Sequence, residues 1–316
     1  MKKLLFAGLL ITLFISGCST STPRPTPTTE PEGATIPELV LKITNGSDRL
    51  RTPYGLALDS SGKIYVNDAG NSRVLVFEED GTLLAKWDQQ GNGEGEFNSL
   101  GFGGIAIDGD DNVFVVDNGN HRVQKFDTAG TFLTEWGGEG SGDSQFVRAI
   151  GIAVDGEGNV YVTDDGNPFV QKFANGGQFL MKWGGAGAGG GQFSHATGIA
   201  VDAQGNVFVS DYENKRVQKF DEQGSFIAAW GMGADIGATG IPEGIAIDDQ
   251  GRVYVTDYAL GRIEVFDNDG KWLASWGTTS RTDRLFQSPV AMAFDVHGHF
   301  YVVNQKTNLV QIFNLP

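Results

Sequence analysis

The sequence is poor in cysteine, histidine and basic residues, and each shortage argues against a class of protein. Cys18 is the only cysteine among 316 residues, so the chain cannot form an intrachain disulfide. It has only four histidines, and no nucleophile–base arrangement, phosphate-binding loop or cofactor fingerprint is recognisable. Lys and Arg number 23 against 39 Asp and Glu. Nucleic-acid binding needs a basic face to neutralise phosphates, so the acidic balance argues against that role.

What the sequence does contain is a repeat. The stretch Gly104–Gly137 begins GIAIDGDDNVFVVD and returns nearly unchanged three times, with looser copies at either end. The copies begin near residues 55, 104, 151, 198, 244 and 291, at spacings of 49, 47, 47, 46 and 47 residues. Self-similarity at this period indicates a repeat architecture.

Each copy reads as four short strands joined by Asp- and Gly-containing turns of the hairpin type. The second strand, Val113–Val116 in one copy, is apolar on both faces, so both faces must be covered. Four-stranded blades stacked around an axis provide that cover. We therefore predict an all-β fold, a six-bladed β-propeller of four-stranded antiparallel blades.

The two ends of the repeat region predict how the ring closes. Residues 38–44 (ELVLKIT) form a strand without a blade of its own, and the sixth copy stops at Phe313 after its third strand. We expect the N-terminal strand to complete blade six, which removes an exposed sheet edge. Residues 36–316 would then form one domain.

The N-terminus is typical of an export signal. Lys2 and Lys3 precede an apolar run over residues 4–15, and Ile15-Ser16-Gly17-Cys18 resembles the lipobox of bacterial lipoproteins. The resemblance implies a signal peptide over 1–17, a lipidated Cys18 and a location in the bacterial cell envelope, anchored to the membrane and facing the periplasm or the exterior. Residues 18–35 would be a disordered Ser/Thr/Pro tether. The alternative is an ordinary cleaved signal in which Cys18 is incidental.

Three recurring motifs carry a resemblance to the NHL repeat: Gly-Ile-Ala-Val/Ile-Asp, Asn-Val-Tyr/Phe-Val-x-Asp and Asn-x-Arg-Val-Gln-x-Phe. The resemblance extends from about Tyr54 to Phe313 and implies the propeller fold. NHL proteins include RNA-binding regulators, peptide-amidating lyases with a metal in the propeller, and extracellular sensor or scaffold domains. Without Lys2 and Lys3 the net charge is −18, which together with export argues against RNA binding.

Residues that recur in every copy are predicted to be structural. The aspartates at the first turn should cap it, and the five tryptophans of the fourth strands should pack between blades. An Asp at the end of the second strand is followed five residues later by Arg in four copies, which predicts charge pairs between the second and third strands. Asp164 has Phe169 in place of the arginine, which would leave this carboxylate free for other work.

Function is therefore expected where the copies differ. The connections from the fourth to the first strand and from the second to the third strand should share one face, with Tyr54, Glu243 and Val290 near the channel mouth. Aromatic residues there would form a contact patch of the kind that binding faces favour; ordinary half-buried loop side chains are the alternative. The candidate residues for binding a ligand or partner are Phe169, Tyr212, Tyr258, Leu260, Tyr54 and Arg148.

The enzyme alternative rests on the resemblance to the amidating lyases, which hold zinc with several histidines. One or two histidines on a face do not supply the ligands of a zinc site. A calcium site needs only oxygens, so possible calcium stays open, with Glu243 and His195 as the candidate metal ligands. We predict a module that binds a protein, peptide or glycan in the envelope, with no cofactor expected. The alternative is a calcium- or zinc-dependent lyase or hydrolase at the channel mouth.

Overall fold

The structure is a computed structural model that describes residues 37–43, 48–232, 240–277 and 285–315. The predicted signal peptide, the lipidation of Cys18 and the tether lie outside these residues. Within them, no helix has the length and apolar character needed to cross a membrane.

The described residues form 24 strands and two short 3₁₀ turns, Ala69–Asn71 and Asn118–Asn120. The strand that precedes the repeats is β1 (Glu38–Ile43). The first three repeats comprise β2 (Leu56–Leu58), β3 (Ile64–Asp68), β4 (Arg73–Phe77), β5 (Leu83–Trp87); β6 (Ile105–Ile107), β7 (Val113–Asp117), β8 (Arg122–Phe126), β9 (Phe132–Gly137); and β10 (Ala149–Val154), β11 (Val160–Asp164), β12 (Phe169–Phe173), β13 (Phe179–Gly184). The last three comprise β14 (Ala196–Val201), β15 (Val207–Asp211), β16 (Arg216–Phe220), β17 (Phe226–Gly231); β18 (Pro242–Ile247), β19 (Val253–Asp257), β20 (Arg262–Phe266), β21 (Trp272–Trp276); and β22 (Pro289–Phe294), β23 (His299–Asn304), β24 (Leu309–Asn314).

The strands form six antiparallel sheets of four, which confirms the predicted six-bladed propeller. In the first five blades the strands are ordered as they occur in the chain. Blade six has the order β22-β23-β24-β1, and β1 pairs antiparallel with β24. The N-terminal strand thus completes the last blade as predicted, and it covers the edge that β24 would otherwise expose.

Aromatic side chains fill the space between blades. Trp87 at the end of blade one lies 5.2 Å, centroid to centroid, from Phe126 of blade two, and Phe126 also contacts the buried Phe97 at 5.7 Å. The same triplet recurs in the next two interfaces, with Trp136, Phe173 and Phe146, then Trp183, Phe220 and Phe193. The predicted packing role of the repeated tryptophans is confirmed, and it follows from the need to bury both faces of each central strand.

The predicted charge pairs are present. Each aspartate is fully buried at the end of a second strand, where it lies opposite the arginine that begins the third strand. The nitrogen–oxygen distances are 2.7 Å for Arg73 and Asp68, 2.9 Å for Arg122 and Asp117, 2.9 Å for Arg216 and Asp211, and 3.5 Å for Arg262 and Asp257.

Asp164 is not free, contrary to the interpretation from sequence. Its carboxylate accepts hydrogen bonds from the backbone N–H groups of Val147, Arg148, Gly166 and Asn167, at 2.8–3.1 Å. The Asn167 amide also donates, at 3.0 Å, as Asn120 and Asn214 do in blades that keep the arginine, so it is the additional backbone donors that replace the arginine. A buried carboxylate needs such donors, and here the backbone supplies them.

The first strands line the central channel and approach one another closely. A Cβ on Gly198 would fall against the backbone carbonyl oxygen of Glu243 in the next blade, so only glycine fits there. This carbonyl also accepts a hydrogen bond from the Thr197 hydroxyl at 3.3 Å. The spacing of the first strands thereby sets the position of Glu243.

Gly198→Ala should therefore lower the free energy of unfolding by about 2 kcal/mol, because the backbone at Glu243 must shift to admit the methyl group. Urea denaturation measures this change. Gly156→Ala is the matched control: a Cβ there meets no atom within 4 Å, so its effect should be small. Equal stabilities of the two variants would show that the first strands are not closely packed at Glu243.

Candidate functional site

Two rings of residues surround the channel mouth, and each ring uses one position of the repeat. The inner ring consists of the residue that directly precedes the start of each copy, at residues 55, 104, 151, 198, 244 and 291. These inner-ring residues are Tyr54, Gly103, Ile150, Thr197, Glu243 and Val290. The outer ring consists of the residue that follows each second strand: Ala69, Asn118, Asp165, Tyr212, Tyr258 and Gln305. Side chains from repeats far apart in sequence therefore converge at one place.

Backbone hydrogen bonds hold the outer ring to the inner one. The N–H groups of Asp165 and Tyr212 donate to the carbonyls of Arg148 and His195, at 3.0 and 2.9 Å. Tyr258 and Gln305 donate in the same way to residues 241 and 288, at 3.0 and 3.1 Å. Each acceptor lies two residues before an inner-ring residue. Because this frame is the same in blades three to six, the side chains can vary without changing the backbone.

These side chains enclose a cavity of about 200 Å³ at the mouth, which we call the mouth pocket. A separate space of about 390 Å³ lies along the channel, between the first strands. Tyr54 and Glu243 line both spaces, so this pair forms the boundary between the mouth pocket and the channel. The mouth pocket is lined by Tyr54, Phe102, Ile150, Asp165, His195, Thr197, Tyr212, Glu243, Tyr258, Val290 and Gln305.

A hydrogen bond across the mouth connects blades one and five. The Tyr54 hydroxyl donates to the Glu243 carboxylate, although the two residues are 189 positions apart in sequence. Both side chains are buried, at 6% and 8% exposed. The pKa of Glu243 is raised to about 7: burial raises it, the Tyr54 hydrogen bond offsets part of the rise, and the nearby Asp165 adds to it. Glu243 can therefore gain or lose a proton near neutral pH.

Asp165 brings a second acidic group to the mouth pocket. Its side chain is only 9% exposed, and Oδ2 forms an ion pair with the Arg148 guanidinium. The other oxygen, Oδ1, is buried and has no hydrogen-bond partner among the residues that the structure describes. The nearest histidine nitrogen, Nε2 of His195, is 3.7 Å from this oxygen. A buried acceptor without a donor is rare in proteins and calls for an explanation.

Aromatic rings form much of the remaining wall. Tyr54 makes an edge-to-face contact with Phe102, at 5.4 Å between centroids, and Tyr212 lies 6.5 Å from the His195 ring. Burial raises the pKa of the Tyr212 hydroxyl, and the charges of Glu243 and Asp165 contribute to the rise. The wall thus presents apolar ring surface and neutral hydroxyl groups beside two carboxyl groups.

The structure places the predicted site residues in three ways. Tyr54, Tyr212, Tyr258, Glu243 and His195 line the mouth pocket. Arg148 contacts it through Asp165. Phe169 and Leu260 are not among the lining residues: the Phe169 ring lies beneath the Lys182 ammonium at 5.5 Å, and the Leu260 N–H donates to Asp257. Whether any of these residues binds a partner stays a prediction.

Sequence reasoning missed five of the residues that line this pocket: Phe102, Ile150, Asp165, Thr197 and Gln305. The position of Asp165 could have been found, because it follows the buried Asp164 just as Tyr212 follows Asp211. Phe169 was chosen because it is aromatic, although it stands four residues after Asp165, where four other copies have arginine. Phe169 instead begins β12, directly opposite Asp164.

The metal ligands predicted at the mouth, Glu243 and His195, are joined there by Asp165. Among the described residues, no three carboxylate, histidine or cysteine ligands meet at the mouth with ligand atoms within 4.8 Å of one another. One such group lies on the opposite face, where His299 Nδ1 is 2.7 Å from Asp295 and 3.5 Å from Glu79. Asp295 also accepts hydrogen bonds from Tyr301 and from two turn N–H groups. We interpret this group as a contact between blades one and six.

Comparisons with known proteins support the fold. A family model described as a six-bladed β-propeller matches residues 54–135, and the NHL repeat model matches residues 193–220 and 239–266. Among proteins of curated function, none matches this sequence significantly.

Several solved structures share the fold at low sequence identity. A gluconolactonase from Xanthomonas campestris is 17% identical, with 93% of this chain and 99% of that chain covered and a TM-score of 0.63. A virginiamycin B lyase from Staphylococcus aureus is 13% identical, with 87% and 99% covered and a TM-score of 0.63. Regucalcin from Agrobacterium tumefaciens, described as a calcium-binding protein, is 14% identical, with 89% and 96% covered and a TM-score of 0.62. At these identities the likeness establishes the fold alone.

Proposed function

We propose that this chain, a six-bladed β-propeller that contains NHL repeats, is a lipid-anchored binding module of the bacterial cell envelope. It holds part of a protein, peptide or glycan partner in the mouth pocket. The lipobox-like sequence ending at Cys18 supports the anchor and the location. The observation that carries the binding function is the convergence of the most variable repeat positions on one partly aromatic cavity.

The size of the mouth pocket limits what enters it. Pockets for drug-sized ligands occupy roughly 300–1,000 Å³, whereas this one has about 200 Å³. A cavity of this volume suits one side chain, one chain end or one sugar substituent of a larger partner. The rest of the partner would lie on the surrounding loops.

The structure favours Tyr212 and Tyr258 as the residues that hold the partner, since both line the mouth pocket on adjacent blades. Buried interface tyrosines often contribute more than 2 kcal/mol each. Tyr212→Ala and Tyr258→Ala should therefore each reduce partner capture by at least tenfold, measured by crosslinking and co-purification from native envelopes.

Phe169→Ala is the matched control, because this aromatic residue begins a third strand near the same face but lies outside the mouth pocket. It should leave capture unchanged, and all three variants should keep melting temperatures within a few degrees of wild type. If the Tyr212 and Tyr258 variants captured the partner as wild type does, the mouth pocket would not be the binding site.

One observation favours a second candidate, a lyase or hydrolase that works at the same place. A carboxyl group with a pKa of about 7 can act as a general acid or base at neutral pH. Glu243, hydrogen-bonded to Tyr54, would exchange the proton with a lactone or peptide substrate. Turnover of such substrates by wild type and its loss in Glu243→Gln would establish this function. If wild type turned over none of them, the binding module would remain the proposed function.

Calcium could assist the second candidate, but the residues at the mouth fit it only in part. Calcium takes six to eight oxygen ligands. Glu243 and Asp165 supply carboxylates, yet Arg148 already pairs with Asp165 and Tyr54 with Glu243. Elemental analysis of residues 36–316, purified without chelator, tests this role directly. One tightly held calcium that is lost in Glu243→Gln would support it.

A further inference from the structure

We infer that the group held in the mouth pocket is a primary ammonium group, R–NH₃⁺, carried by the partner. This inference rests on the proposed function, because it names the chemistry of the group that enters the same pocket. It is carried by three features of the lining: a buried acceptor without a donor, two carboxyl groups without a lining cation, and aromatic walls.

The first feature is Oδ1 of Asp165. It is buried and, within the described part of the chain, has no hydrogen-bond partner, while Oδ2 of the same carboxylate is paired with Arg148. The side chain is nine-tenths buried and lines the mouth pocket. A buried carboxylate oxygen is stabilised by an N–H donor, and a charged donor makes the stronger hydrogen bond. An ammonium group supplies three such donors.

The second feature is the charge of the lining. Among the described residues that line the mouth pocket there are two carboxyl groups, Asp165 and Glu243, and neither lysine nor arginine. His195 is the one basic side chain there, and Arg148 reaches Asp165 from outside the lining. The two carboxyl groups repel each other when both are ionised, and a cation between them would offset this repulsion. An anionic ligand would increase it.

The third feature is the wall of rings. Tyr54, Phe102, Tyr212 and Tyr258 line the mouth pocket. The face of an aromatic ring attracts a cation, and the attraction is strongest where the cation is shielded from water. Carboxylates beside ring faces recognise a cation better than a neutral alcohol of the same shape, because the alcohol would leave the carboxylate charge uncompensated.

The test is a calorimetric titration of the folded, purified chain with n-butylamine, using n-butanol as the neutral analogue. We expect butylamine to bind at pH 8, and to bind at least tenfold more tightly than butanol. Asp165→Asn and Glu243→Gln should each weaken binding at pH 8 at least tenfold. Asp143→Asn removes an exposed carboxylate paired with Lys182 outside the mouth pocket, so it should change nothing.

Further ligands identify the source of the ammonium group. Nα-acetyl-lysine methylamide tests a lysine side chain, glycine methylamide tests a peptide N-terminus, and glucosamine tests an amino sugar, each against its N-acetylated form. The N-acetylated forms should bind at least tenfold more weakly. Tetramethylammonium should bind more weakly than butylamine, because it has no N–H to donate to Asp165.

The results separate this inference from the proposed function. Equal binding of butylamine and butanol at pH 8 would overturn the ammonium assignment. This comparison uses the wild-type chain, so it does not depend on whether a variant folds. If the Tyr212 and Tyr258 variants still lost partner capture, the mouth pocket would remain the binding site for a group of different chemistry.

Discussion

Asp211→Ala should lower the free energy of unfolding by about 4 kcal/mol, the largest effect that we expect from a single substitution in this chain. The Asp211 carboxylate is fully buried and accepts hydrogen bonds from the Ser194 N–H at 3.0 Å, the Asn214 amide at 2.8 Å and Arg216 Nε at 2.9 Å. Removing it leaves these donors without their acceptor and the guanidinium without its counter-ion. Each such loss is costly in a buried setting.

Urea denaturation measures this change, and two further variants determine its origin. Asp221→Ala removes an exposed aspartate that caps a turn, so it should cost about 1 kcal/mol. Asp164→Ala should cost nearly as much as Asp211→Ala, although Asp164 has no arginine partner, because it accepts hydrogen bonds from four backbone N–H groups. A cost below 1 kcal/mol for Asp211→Ala would show that the aspartates after the second strands do not hold the loops of this face.

The second large effect concerns Glu243. Because its pKa in the folded protein is about 7 and the ordinary value is 4.5, the native state keeps a proton that the unfolded state releases between these pH values. The free energy of unfolding should therefore fall as the pH rises through this range and stay low above pH 7. Glu243→Gln removes this dependence and should stabilise the fold at pH 8 by about 3 kcal/mol.

The measurement is urea denaturation of wild type and Glu243→Gln at pH 4, 5, 6, 7 and 8. The glutamine keeps the shape of the side chain, and its amide oxygen can accept the Tyr54 hydroxyl. The difference in unfolding free energy between the two proteins should be small at pH 4 and grow to its full size by pH 8. Glu213→Gln, an exposed residue at the rim, should show no such growth. A difference that is constant with pH would contradict the raised pKa.

The fold could be predicted because the same pattern occurs six times and each copy indicates the same arrangement of strands. Every copy repeats the turn aspartate and the apolar second strand, and five copies repeat the packing tryptophan, so an ambiguity in one copy is resolved by the others. The closure by Glu38–Ile43 also followed from simple counting, since the last copy lacks one strand and the N-terminus supplies one.

The mouth pocket could be predicted only in part. Tyr54 and Glu243 were expected at the channel mouth because each directly precedes a first strand. Their hydrogen bond could not be predicted, because it joins blades one and five across the mouth and leaves no local pattern in the sequence. The raised pKa of Glu243 depends on the burial of its side chain at the mouth, so it could not be predicted from the sequence either.

Asp165 and Phe169 show a second reason why the lining of the mouth pocket could be predicted only in part. Both stand where blade three departs from the other blades, and sequence alone gave more weight to the larger, aromatic residue. In the structure Phe169 begins β12 and lies beneath the Lys182 ammonium, while Asp165 takes the position equivalent to Tyr212. The lining residue of blade three is therefore Asp165, and the aromatic Phe169 four positions later lies outside the mouth pocket.

The measurement that tests the central claim most directly is site-specific photo-crosslinking of the full-length chain in its native envelope. A photoreactive benzoylphenylalanine would replace Phe102, an exposed aromatic residue that lines the mouth pocket, or, in a second protein, Val296, which is 86% exposed in a turn on the opposite face. We predict a discrete adduct from position 102 that disappears in Tyr212→Ala, and none from position 296. Adducts from position 296 alone, or equal adducts from both positions that persist in Tyr212→Ala, would contradict the assignment of the binding function to the mouth pocket.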